Sequence, residues 1–159
     1  MIAVLRRGML CALSLVALIV AAAEPVQAQT AQSFVEAIYR PYTVKGFKGI
    51  PYSTVPSVKG YFEPALAAAI IKDMEAAAKR NELPKLNGDP FIDAQDWEIA
   101  NLAINVKSSG DRASATVTFT NFGQPKSVTL DLVKSPSAGW RIAEIVAPSG
   151  SLRKLFRVK

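Results

Sequence analysis

The sequence predicts an α+β domain in which helices near the start pack on a curved antiparallel sheet of about four strands. In the first half, Leu66, Ile70, Met74 and Ala77 recur at the spacing of one helix face. From Leu102 onward the apolar residues alternate with polar ones, and short turn sequences separate the alternating runs. Helices followed by strands with short connections indicate one sheet with a single covered face.

The first predicted helix covers residues 29–40. Ser33 and Glu36 have the spacing of a capping box, and Pro41 ends the helix. Residues 41–60 contain three prolines and three glycines, which predicts a loop. The three aromatic residues of this loop are expected to pack it onto the domain: Tyr42, Phe47 and Tyr52.

The second predicted helix begins at Pro64, a residue suited to a first helical turn. It ends near residues 79–81, where two basic side chains precede an asparagine. Its apolar face is interpreted as core. Residues 82–96 are acidic and contain turn-forming pairs, so they are predicted to be irregular.

Four strands are predicted from the alternating pattern, at about 102–106, 113–120, 128–132 and 140–145. Ile142 and Ile145 break strict alternation, which predicts a β-bulge or the end of the strand. A last short turn at 152–156 is expected to be capped by Ser149 or Ser151.

The first 28 residues have the pattern of a cleavable export signal. Arg6 and Arg7 precede an apolar run over 9–23, and small residues at Val26 and Ala28 suit cleavage before Gln29. We therefore expect a periplasmic or secreted protein with one domain at 29–159. A retained membrane anchor, lipid attachment at Cys11 and twin-arginine export are the alternatives, each a poorer match to the residues.

Composition excludes several chemistries from the expected mature domain. The chain has no histidine, and its single cysteine lies in the leader, which excludes Ser-His-Asp catalysis, a disulfide and the usual zinc ligands. Removing the leader takes Lys plus Arg from 19 to 17 and Asp plus Glu from 13 to 12, a net charge of +5. This mild basic charge and the absence of a binding motif argue against nucleic acid as a partner.

Four stretches resemble the bacterial domain-of-unknown-function family 3828, which is related to the nuclear-transport-factor-2-like cone folds. They are Tyr61–Leu66, Asp93–Trp97, Gly139–Ile142 and Ser151–Arg153. The resemblance implies a cone-shaped α+β fold and an exported protein or lipoprotein. It also implies that an envelope adaptor or a toxin-neutralising partner is a possible role, while it supplies no catalytic residues.

The acidic segment is the first candidate site. Asp89, Asp93, Asp96 and Glu98 surround Trp97, and crowded carboxylates beside an aromatic ring can act as acid or base. In the catalytic interpretation Asp93 or Asp96 is the general base. In the structural interpretation Asp93 caps a turn and Asp96 pairs with an arginine. Calcium is a further alternative, although the spacing is not that of an EF-hand.

A ligand- or partner-binding site is predicted from six residues within the stretches that resemble the family: Asp93, Gln95, Asp96, Trp97, Arg141 and Arg153. The two arginines suit an anionic ligand, a partner carboxylate, or the aspartates themselves. Trp140 is interpreted as core or, alternatively, as the wall of a pocket. The basic residues among 153–159 predict either a solvated tail or weak contact with an anionic membrane.

The sequence favours a small soluble binding protein of the bacterial envelope, with a protein or small ligand as partner. The alternative is a hydrolase or isomerase that uses an aspartate base. No metal or cofactor is implied, and the sequence leaves the oligomeric state and any reaction open.

Overall fold

The structure is a computed structural model, and it describes residues 29–159. The predicted signal peptide lies outside the described residues. Helix α1 spans Ala31–Tyr39 and is followed by a 3-10 turn at Arg40–Thr43. Its cap differs from the prediction, because Thr30 is the N-cap and Ser33 completes the capping box. The Thr30 hydroxyl accepts from the Ser33 N–H and the Ser33 hydroxyl accepts from the Thr30 N–H, both at 3.0 Å.

Helix α2, Val55–Tyr61, was not predicted, because its segment is rich in proline and glycine. Both the proline and the glycine are compatible with a short helix here. Proline falls in the first turn, where its missing N–H leaves no hydrogen bond unmade, and Thr54 caps the end. Val58 then anchors the helix, since it is completely buried. The rest of the predicted loop is irregular, and its three aromatic residues pack on the core as expected.

Helix α3, Pro64–Arg80, confirms the predicted bounds and the predicted core face. Leu66, Ile70 and Ala77 are buried, and Met74 is partly buried against the same core. The Glu63 carboxylate caps the helix by accepting from the N–H groups of the first turn, each at 3.2 Å. Asn81 ends it in the left-handed conformation, with φ +55°.

The sheet is open and antiparallel, and it has five strands in the order β1-β2-β3-β4-β5. The strands are β1 Ile99–Ser109, β2 Arg112–Asn121, β3 Gln124–Ser135, β4 Gly139–Ala147 and β5 Gly150–Ser151. The prediction of about four strands missed β5, since two residues are too few to show a period. Helix α4, Leu152–Phe156, follows with Ser151 as its cap, as one of the two predicted alternatives had it. A cone-shaped fold stays a prediction.

The predicted bulge is present in β4. Leu132 pairs with Ile142 and Asp131 pairs with Glu144, so Ala143 is the extra residue. The bulge allows Ile142 and Ile145 to face the same side of the sheet, and both are buried.

The core lies between the helices and one face of the sheet. The core-facing row of β2 is buried throughout, from Ala113 to Phe119. The irregular segment between α3 and β1 also contributes, because Phe91 and Ile92 are fully buried. Among residues 29–159, none of the helices is long and apolar enough to cross a membrane.

Candidate binding surface and its buried support

Three irregular segments form one surface of the molecule, which we call the loop surface. It consists of residues 41–54, residues 84–98 and the β2–β3 turn at Phe122–Gly123. Four of the predicted site residues belong to it: Asp93, Gln95, Asp96 and Trp97. One cavity and one groove open on or beside it.

A buried carboxylate joins the first two segments. The Tyr42 hydroxyl donates to Asp89 Oδ2 at 2.5 Å, and the Phe91 N–H donates to Asp89 Oδ1 at 2.9 Å. The Ile50 N–H in turn donates to the Tyr42 hydroxyl at 3.4 Å. Asp89 is only 4% exposed, yet both of its oxygens have donors. The arrangement therefore fixes two loops that are 47 residues apart in the chain.

Burial dominates the electrostatics of this contact. Loss of hydration raises the pKa of Asp89 to about 6, and the hydrogen bonds from Tyr42 and Phe91 oppose that rise. Burial, together with the neighbouring Asp89 charge, also raises the pKa of Tyr42 above its ordinary value. The tyrosine therefore stays protonated and available as a donor.

The two loops approach closely at Gly49. Its φ of +86° suits glycine, and a Cβ atom there would lie 3.0 Å from Trp97 Cη2 and 3.2 Å from Asp89 Oδ2. Trp97 is thus held between Gly49 and Tyr42, whose ring centroid is 5.6 Å from its own. Phe47 packs edge-on against the other side of Tyr42 at 5.2 Å. A single buried tyrosine therefore supports two surface aromatic rings.

A groove of about 880 Å³ opens on this side, and we call it the aromatic groove. Its apolar lining comes from Val44, Phe47, Trp97, Ile99 and Phe122. Val44 is 61% exposed and Phe122 is 57% exposed. Large exposed apolar side chains that line one groove are typical of interaction sites.

Phe122 occupies an unusual backbone position. It is the first residue of the two-residue turn between β2 and β3, with φ +48°, and Gly123 follows with φ +74°. Two consecutive positive φ angles describe a type I′ turn, in which the first position favours asparagine, aspartate or glycine. A bulky side chain in the left-handed region costs roughly 1–2 kcal/mol. Phe122 occupies this position in spite of the cost, and its side chain is exposed.

Asn121 fixes the segment that carries Trp97. Its side-chain oxygen accepts from the Glu98 N–H at 2.8 Å, and its amide donates to the Asp96 carbonyl at 3.3 Å. The Phe122 N–H donates to the Glu98 carbonyl at 3.1 Å. The segment 96–98 is therefore fastened directly to the turn that carries Phe122.

The aspartates predicted as general bases do not pair with arginine. Asp93 forms an ion pair with Lys126 at 3.6 Å rather than capping a turn, and its side chain is 9% exposed. Asp96 is exposed and lines the aromatic groove. The predicted pairing of Asp96 with an arginine is wrong, since both arginines have other partners.

Arg153 serves the fold. Its guanidinium donates to Glu63 Oε1 at 2.9 Å, to the Ala143 carbonyl at 3.3 Å and to the Lys159 carbonyl. Glu63 also caps α3, so this contact joins the start of α3 to helix α4. Arg153 is therefore committed within the molecule, although it was predicted to bind a ligand or partner.

Arg141 lies in a different groove, of about 310 Å³, beside the start of α3 and the β3–β4 turn. It donates to the Trp140 carbonyl at 2.7 Å. Trp140 itself is core, as one interpretation of the sequence had it, and Lys134 Nζ lies 6.0 Å from its ring centroid. The six residues predicted as one site are therefore divided among separate places.

A cavity of about 380 Å³ lies between the acidic segment and the end of the sheet. Asp89, Asp93 and Gln95 line one side, and Ile145 and Leu152 line the other. The Gln95 amide donates to the Asn87 carbonyl at 3.1 Å. Across residues 29–159, acidic side chains nowhere gather in a group of three that could hold a metal ion.

Sequence reasoning missed two residues that define this surface. Phe122 carries a local signal, because a bulky aromatic residue before glycine in a two-residue turn departs from ordinary turn chemistry. Tyr42 carries no local signal, since its partner Asp89 is far away in the sequence.

Known proteins share little recognisable similarity with this chain. No family model matches the chain, and no curated protein matches it. The chain resembles a solved structure, the type VI native effector-immunity complex Tae3-Tai3 from Ralstonia pickettii, at 22% identity and a TM-score of 0.47. The match covers 71% of this chain and 87% of that one.

Proposed function

We propose that this chain is an exported binding protein that recognises a protein partner through the aromatic groove. The observation that carries the proposal is Phe122, an exposed aromatic ring held at a strained turn position. Backbone strain that the fold does not need is a feature of functional sites. Asparagine, aspartate or glycine at this position would stabilise the hairpin better. The Phe122 ring therefore serves binding rather than the stability of the fold.

The chemistry of the groove suits a protein partner. Burying a Phe side chain completely gives roughly 1.5–3 kcal/mol, and aromatic residues dominate the energetics of protein interfaces. Val44 and Trp97 extend the apolar area, while Lys45, Asp96 and Glu98 add charges of both signs to the lining. Protein interfaces combine apolar and aromatic side chains with polar ones in this way.

The groove is also rigid before it binds. Residues 41–54 are attached to the acidic segment through Tyr42 and Asp89, and the segment 96–98 is attached to the β2–β3 turn through Asn121. Rigid side chains lose little conformational entropy on binding, which improves affinity without extra contacts.

The finer form of the proposal is an envelope adaptor or a toxin-neutralising partner that works in the periplasm or outside the cell. It follows from the export signal predicted in residues 1–28 and from the resemblance to family 3828. A neutralising protein of this kind would cover a functional surface of its target with the aromatic groove.

The test uses Phe122→Asn. Asparagine suits the type I′ turn, so the variant is expected to fold at least as stably as the wild type while it lacks the aromatic ring. Wild-type and variant proteins, immobilised in equal amounts, are exposed to envelope extract with chemical cross-linking, and captured proteins are identified by mass spectrometry. We expect a partner to be captured by the wild type and lost, at least tenfold, from Phe122→Asn.

Leu83→Asn is the matched control, because Leu83 is 74% exposed but does not line the aromatic groove. Partner capture should be unchanged in that variant. Equal capture by Phe122→Asn and the wild type, or equal loss in both variants, refutes a role for the groove.

One observation favours a second candidate, a hydrolase or isomerase. Burial raises the pKa of Asp89 to about 6, which is close to the value that suits a general base. Asp89 also borders the 380 Å³ cavity. An enzyme using it would lose its activity in Asp89→Asn and keep it in Phe122→Asn, the reverse of the pattern expected for partner capture.

A further inference from the structure

The edge strand β1 is built differently from the strands beside it. It has 11 residues, and within residues 29–159 β2 is its only neighbour in the sheet. Among the described residues, no backbone hydrogen bond from outside β2 reaches it between Leu102 and Ser109. Edge strands normally carry several charges, a proline or a covering element that prevents pairing. Lys107 is the one charged residue of β1.

The core-facing row of β1 is incompletely covered. Leu102, Ile104 and Val106 are each partly exposed, whereas the matching row of β2 is buried. These residues belong to the core face, because they pack against the buried cluster. The apolar layer of the molecule therefore continues to the free edge of the sheet.

The β1–β2 hairpin determines which backbone groups are free. Its turn has two residues, Gly110 and Asp111, so the flanking pair Ser109 and Arg112 is hydrogen-bonded. Hydrogen-bonded pairs alternate along an antiparallel ladder. The N–H and C=O groups of Ile104 and Val106 consequently point away from β2, toward the free edge. Asn101, with φ +53° at the register shift, interrupts the strand only at its beginning.

We propose that β1 pairs with β1 of a second copy of this chain, antiparallel about a twofold axis at Asn105. This register places Ile104 of each copy opposite Val106 of the other. The free N–H and C=O groups of these residues then form hydrogen bonds between the two strands. The two aliphatic rows then cover each other and the sheets continue across the axis. On the outer face, Ala103 stands opposite Lys107 of the second copy, which separates the two lysines.

The register makes a charge test possible. Ala103→Lys introduces a like-charge pair twice across the axis, and Ala103 is exposed, so the monomer should fold normally. Two such pairs are expected to weaken the dimer roughly two- to thirty-fold. The double variant Ala103→Lys with Lys107→Glu replaces both repulsions by attractions and should restore the dimer.

The measurement is sedimentation equilibrium of residues 29–159 over a range of protein concentrations. Thr118→Lys is the matched control: it adds the same charge on the neighbouring strand, where Thr118 pairs with Ala103 and is exposed. We expect a concentration-dependent dimer that Ala103→Lys weakens, Thr118→Lys leaves unchanged, and the double variant restores. A monomer at every concentration, or a dimer insensitive to Ala103→Lys, overturns the proposal.

Discussion

Asp89→Asn should remove an unusual pH dependence from the stability of the domain. The pKa of Asp89 rises from 3.8 to about 6 on folding, because burial disfavours the carboxylate more than its hydrogen bonds favour it. A group whose pKa is higher in the folded state stabilises the fold when it is protonated. Its contribution is complete below about pH 3.8 and is lost as the pH rises through about 6.

The size of the effect follows from the two pKa values. Each pKa unit corresponds to about 1.4 kcal/mol, so the complete effect is about 3 kcal/mol, and about 2–3 kcal/mol falls between pH 4 and pH 8. Asparagine matches the shape of aspartate and does not ionise. The free energy of unfolding of Asp89→Asn minus that of wild type should therefore increase by about 2–3 kcal/mol between pH 4 and pH 8, because only the wild type loses stability.

Urea unfolding, followed by tryptophan fluorescence at several pH values, measures this difference. Urea keeps its strength across the range, and Trp97 and Trp140 report on the loop surface and on the core. Asp96→Asn makes the same change in net charge at an exposed carboxylate and serves as the matched control. Stability curves for Asp89→Asn and wild type that run parallel from pH 4 to pH 8 would refute the reasoning.

Two further substitutions test the contacts by which Tyr42, Asp89 and Gly49 join the two loops. Tyr42→Phe leaves Asp89 Oδ2 and the Ile50 N–H without their partner, so it should lower the free energy of unfolding by about 1–3 kcal/mol at pH 7, measured in urea. Gly49→Ala places a Cβ atom 3.0 Å from Trp97 Cη2 at a φ of +86°, and it should destabilise by at least about 1 kcal/mol. A lowered melting temperature would show this, and a melting temperature equal to that of wild type would contradict the tight approach of the two loops.

The parts of the fold that depend on local pattern could be predicted from the sequence. The α3 face and the β4 bulge arise from the order of apolar and polar residues within one element. Helix α2 was missed because its proline and glycine content resembles that of a loop, although proline in a first turn is compatible with a helix. Strand β5 was missed because it is shorter than one period of the pattern.

The candidate site was predicted less well, since its contacts join distant segments. The acidic segment lies on the loop surface, and its charges were paired with the wrong partners. Asp93 pairs with Lys126 and Arg153 pairs with Glu63, and no spacing in the sequence indicates either pair. Asp89 stood among the acidic residues, yet its burial depends on Tyr42, 47 residues earlier.

Trp97 is held by two hydrogen-bond systems that respond differently to pH. Tyr42, which is bound to Asp89, packs against the Trp97 and Phe47 rings, whereas Asn121 binds the backbone on either side of Trp97, at Asp96 and Glu98. The pKa of Asp89 is raised to about 6, and the amide of Asn121 does not titrate. A rise in pH through about 6 therefore acts on the Tyr42 contact, and partner binding should weaken while Asn121 still joins the Trp97 segment to the turn of Phe122.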